Sequence, residues 1–105
     1  MTTERTIELM RTALQRQVAS TINRLNQRYR DITNGGIHVP ARAIVERDAD
    51  RARWLIEFAD PILTASERSQ MRADIDAALA PVLALMDERT RERSAYRAAL
   101  KSSNT

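Results

Sequence analysis

Few residues in this chain are of the types that catalysis draws on. Cysteine is absent and histidine occurs once, at His38 in the loop-like stretch IHVP. No thiolate nucleophile or disulfide framework can therefore be assembled, and most imidazole-based metal cages are ruled out. Asp48 with Asp50, and Asp74 with Asp76, stand two positions apart. On a helix that spacing turns them toward different faces, which suits neither metal binding nor acid–base pairing. There is no phosphate-cradling glycine loop and no G-x-S-x-G elbow. This inventory points away from an enzyme, and from any cofactor, metal or small-molecule substrate.

Arginine offers binding chemistry instead. The chain has 16 arginines to one lysine, a bias that fits a GC-rich coding preference as well as a choice of bidentate contacts. No acidic residue occurs between Glu8 and Asp31, a stretch that holds Arg11, Arg16, Arg24, Arg28 and Arg30 among several amides. Arg16, Asn23, Arg24, Gln27 and Arg30 form the candidate nucleic-acid face, where guanidinium could meet phosphate and amides could meet base edges. A solvated helix face with dipole-compensating arginines accounts for the same residues. The scarcity of aromatic residues, 4% of the chain, argues against base stacking.

A second pattern carries a different chemistry. Arg47, Arg51, Trp54 and Phe58 recur at spacings of four, three and four, on the side of their helix away from its apolar face. If no part of the chain covers them, two aromatics flanked by arginines have the composition of a protein-binding hot spot. Further on, Arg89, Arg93, Tyr96 and Leu100 continue the apolar spacing of the last helix, giving a half-apolar, half-basic arm. Arg47, Arg51, Trp54, Phe58, Arg89, Arg93 and Tyr96 are the candidate partner-binding residues.

The elements that position these residues are helical. Ile7, Met10, Leu14, Val18, Ile22, Leu25, Tyr29 and Ile32 advance in steps of three and four, predicting a helix over 3–33. Asn34-Gly35-Gly36 supplies its left-handed stop. Pro40 opens a second helix, 40–59, that buries Ala41, Ile44, Val45, Ala49, Ala52, Leu55 and Ile56 and ends at Asp60-Pro61. Thr64 with Glu67 forms a capping-box pattern ahead of a third helix, 65–102, kinked at Pro81 and followed by a polar tail, 102–105.

Arg11 and Asp48 fall on apolar faces and need partners there. For Asp48 the candidates are Arg28 or an arginine of the third helix; the alternative is that the second helix breaks near Asp48-Ala49-Asp50.

The chain is therefore expected to be a single all-α domain spanning 1–105, an elongated three-helix bundle. Net charge is +3 over 105 residues, with the basic excess in the first 36. The N-terminus is too charged for a signal peptide and the longest apolar run, residues 77–86, is too short to span a bilayer, so a soluble cytoplasmic protein is expected. The three helices differ in length. The short middle one leaves Ile7, Met10 and the far half of the third uncovered, and a second copy of the chain would bury them.

The expected function is a non-enzymatic adaptor that binds another protein as a homodimer: a chaperone, an inhibitor or an assembly subunit. Nucleic-acid binding is the alternative. In general look, a small set of amphipathic helices with a capped, charged last helix resembles small helical export chaperones and phage-encoded accessory proteins.

Overall fold

The structure, a computed structural model, describes residues 2–35, 40–59 and 61–103. It is all-α: α1 spans Thr2–Thr33, α2 spans Arg42–Glu57 and α3 spans Ala65–Ser103, with no strand among the described residues. His38 and Gly36 lie outside the described residues.

The ends of the helices follow from local chemistry. At the close of α1 the Asn34 N–H donates to the Arg30 carbonyl and the Gly35 N–H to that of Ile32. Gly35 takes a φ of 86°, a left-handed conformation that a side chain would disfavour. Pro40 does not begin α2, as the sequence suggests. Ala41 is the N-cap, with extended backbone, and its carbonyl accepts from Ile44 and Val45.

α2 also stops earlier than expected, at Glu57. The Ile62 and Leu63 N–H groups turn back onto the Ala59 carbonyl, and Ala59 and Leu63 are buried beneath the turn. The capping box forms as the sequence implies. The Thr64 N–H donates to Glu67 Oε1 at 3.0 Å and the Glu67 N–H to Thr64 Oγ1 at 3.1 Å. From there α3 runs unbroken through Pro81, whose ring lies on the exposed side.

The core is a seam shared by three helices. α2 contributes Val45, Ala49, Ala52 and Ile56, and α3 contributes Ile75, Leu79, Val82 and Met86, each set at steps of four, three and four. α1 adds Val18, Leu25 and Ile32, with Thr21 buried beside them and its hydroxyl donating to the Gln17 carbonyl. Alanine at two of the four α2 positions lets that helix sit close to its neighbours.

Cross-helix ion pairs set direction and height. Arg28 of α1 meets Asp48 of α2 at 3.2 Å, so the Asp48 charge on the apolar face is matched and α2 continues through it without a break. Arg42 with Asp87, Arg53 with Asp76, and Arg72 with Glu57 join α2 to α3 in antiparallel order. Arg11 is paired in part at its place: Nη2 donates to the Ile62 carbonyl at 3.1 Å, while the buried Nε makes no hydrogen bond and faces Glu67 Oε2 at 3.8 Å.

Several expectations of burial fail at the ends. Ile44 and Ala41, expected inside α2's apolar face, are exposed, although Val45 in the same turn is fully buried in the seam. The Asp87 carboxylate, four residues before Arg91 on its own helix, reaches Arg42 on α2.

The molecule measures 76 × 21 × 16 Å, far longer than the shared seam. α1 before Arg11 projects about 13 Å beyond the start of α3, and α3 after Asp87 projects about 24 Å past α2 at the opposite end. Among the described residues no helix is long and apolar enough to cross a membrane.

Candidate functional site

The expected partner-binding residues separate into two groups. Trp54 and Phe58 lie near the C-terminal end of α2, 61% and 67% exposed, with Arg47 and Arg51 exposed one and two turns before them. Arg89, Arg93 and Tyr96 stand on the projecting part of α3, beyond the Arg42–Asp87 pair at the other end of α2. The two groups therefore cannot form one continuous patch on one copy of the chain.

At the first group the third helix does not wrap over the aromatics. Trp54 and Phe58 pack on each other, with ring centroids 4.6 Å apart and planes tilted by 57°. That is the geometry of an aromatic pair that gains from mutual contact while each ring keeps most of its surface in solvent. The side chains are placed there by α2's own periodicity: with Val45, Ala49, Ala52 and Ile56 inward, positions 47, 51, 54 and 58 turn outward.

Beside Phe58 the surface continues into a broad, open concavity of about 510 Å³. Met10, Ala13, Leu14 and Gln17 of α1 form one wall; Leu55, Phe58, Ala59 and Ile62 form the other. Gln17 is the one polar side chain among them. The sequence marks Met10 as uncovered, but it gives no sign that Leu14, Leu55 and Ile62 share a surface with Phe58. That join depends on the α2–α3 turn, which brings Ile62 back to the Arg11 level.

At the second group Arg89 donates to Glu92 at 3.1 Å, and Tyr96 and Leu100 are 67% and 46% exposed. The first turns of α1, at the far end of the molecule, leave Ile7, Leu9 and Met10 in solvent as well. Both projections thus carry apolar side chains that no helix of the same copy reaches.

The candidate nucleic-acid face is exposed along α1, but part of it is engaged internally. Arg24 donates to Thr21 Oγ1 at 3.2 Å. Gln27 donates to Asp31 at 2.8 Å, while its own carbonyl oxygen accepts from Arg30 at 2.9 Å. Asp31 thereby draws Gln27 and, through it, Arg30 toward an acidic group. Arg16 and Asn23 remain exposed.

Among the described residues no group of three or more His, Cys, Asp or Glu side chains could hold a metal ion. Electrostatic shifts fall on the frame of the molecule. Hydrogen bonds to Glu46 and Asp87 raise the Arg42 guanidinium above its ordinary range, and the bond to Asp76 does the same for Arg53. The Thr64 N–H holds the Glu67 carboxyl below the usual carboxylate range, helped by the Thr64 hydroxyl and the Arg11 charge against the opposing effect of desolvation. Comparison with protein-family models, curated proteins and solved structures finds no match to this chain.

Proposed function

We propose that this chain is a non-enzymatic interaction module of the cytoplasm, and that its α1/α2 groove receives another protein. The observation that carries the reading is the exposed Trp54–Phe58 pair, continuous with an apolar concavity that the chain's own core does not use. Aromatic side chains of this size seldom stay in solvent unless a partner covers them, and tryptophan beside arginine is the composition enriched at binding hot spots. A groove between two antiparallel helices suits the ridge of a third, so a helical segment presenting apolar side chains is the natural ligand.

The chain acts in this reading as a homodimer within an elongated three-helix bundle, the exposed apolar rows at both ends supporting self-association. Nucleic-acid binding through Arg16, Asn23 and their neighbours is the lesser reading, because Gln27, Arg24 and Arg30 already have partners on their own helix.

The test is a comparison of proteins retained by the native chain and by Trp54→Ala/Phe58→Ala, with thermal unfolding of both. A bound protein lost with the double variant, at nearly unchanged melting temperature, supports the reading. Identical retention, or a collapse of stability, overturns it. A duplex titration over a salt series addresses the lesser reading: affinity falling steeply with salt would mark release of counterions from phosphate.

A further inference from the structure

The two projections of the chain match each other in charge, in spacing and in handedness. On the first turns of α1, Ile7 and Met10 are exposed and Glu4 and Glu8 lie on one edge of that apolar row. On the end of α3, Tyr96 and Leu100 are exposed and Arg97 and Lys101 lie on one edge. Among the described residues no hydrogen bond or ion pair within the copy engages the side chains of Glu4, Glu8, Arg97 or Lys101. Within one copy these rows sit at opposite ends of a 76 Å molecule and cannot meet.

We infer that the chain forms an antiparallel two-fold dimer in which the α3 end of each copy lies along the α1 start of the other. The inference rests on the homodimer reading above and supplies its geometry.

Three features favour this arrangement. The charged edges lie in the same rotational sense from their apolar rows, roughly 100° on at 3.6 residues per turn. When two helices face each other antiparallel, edges of the same sense fall on the same side, so acid meets base. In a parallel pairing they fall on opposite sides. A head-to-tail chain of copies would pair α1 with α3 in parallel, and so loses the match.

The spacing then agrees in one register. With Glu4 level with Lys101, Glu8 is level with Arg97, and Ile7 falls between Tyr96 and Leu100. Glu88 and Glu92 occupy the other edge of α3, where Glu92 is already bonded to Arg89, and α1 presents no charge on its corresponding edge. Finally, the pairing sets the positive end of the α1 dipole beside the negative end of the α3 dipole. Two-fold symmetry makes every one of these contacts twice.

Charge reversal tests the geometry. One variant carries Glu4→Lys/Glu8→Lys, the other Arg97→Glu/Lys101→Glu. All four positions are exposed within one copy, so the helical content read by circular dichroism at dilutions where the chain is monomeric should match the native chain. Sedimentation equilibrium at low salt should show the native chain as a dimer and each variant alone weakened by about tenfold or more, from repulsion at both ends. Mixed one to one, the two variants should regain native affinity, because every acidic edge again faces a basic one.

Native dimers that neither variant weakens would overturn the inference and leave the homodimer reading standing. So would association of the mixture into open chains. A native chain that stays monomeric at high concentration would overturn both the inference and the homodimer reading.

Discussion

The two faces of α2 invert the usual distribution of residue size. Its inner face packs the seam with Val45, Ala49, Ala52 and Ile56, two of them alanine. Its outer face holds the chain's only tryptophan and only phenylalanine, both mostly in solvent. Small residues inside let three helices approach closely, so close packing comes from backbone proximity more than from side-chain bulk. Large residues outside contribute little to the isolated fold and leave substantial apolar area for a partner. The same helix thus packs the core with one face and, in the proposed reading, offers recognition with the other.

The sharpest way to break this comparison is to truncate each face in turn. Ile56→Ala on the inner face should lower the stability by about 3 kcal/mol in urea unfolding, through lost burial and the cavity left behind. Trp54→Ala removes a larger side chain, yet should change stability by less than about 1 kcal/mol, as surface substitutions do. Equal losses would mean that the outer face is also part of a folded core.

Ala52→Leu probes the close approach directly. Extra volume at a position that is 1% exposed should cost about 2 kcal/mol by forcing α2 away from its neighbours. Asp48→Ala tests the charge on the inner face: leaving Arg28 half-buried without its carboxylate should cost about 1 to 2 kcal/mol, between the values for exposed and buried pairs. If Asp48→Ala is neutral, the pair serves only to set helix height.

Thr64→Ala removes the cap that starts α3 next to Ile62, and should cost about 1 kcal/mol by chemical denaturation. The smallest effect concerns its partner. The Glu67 carboxyl is held low in the folded chain by the Thr64 N–H, so its contribution is fully present above the ordinary carboxylate range. It is lost as pH falls through the lowered folded value. Glu67→Gln should therefore flatten the acid side of the stability profile slightly, and an unchanged profile would show the capping bond to be insensitive to charge.

Much of the fold was legible in the residues. The steps of three and four, the Asn34-Gly35 stop and the Thr64/Glu67 box place the three helices to within about two residues at each end, because these are local preferences that need no tertiary partner. Ile44 shows where such reading fails. It stands one residue, about 100°, from Val45, which is fully buried, and no neighbouring helix covers that side of α2.

The candidate site divides in the same way. That Trp54 and Phe58 leave the inner face of α2 follows from periodicity alone. That they remain exposed, and join Met10, Leu14 and Ile62 in one groove, does not. Arg28, named from sequence as one candidate partner of Asp48, could be selected only once the heights of α1 and α2 were known.

The sequence by itself determined that the chain is helical, where its helices begin and end, and which side chains share a face, since 3.6 residues per turn turns spacing into direction. Tertiary structure alone decided which of those faces are covered and which stay in solvent. Coverage depends on relative height and on the turn between α2 and α3, distances along and between helices that no local pattern records.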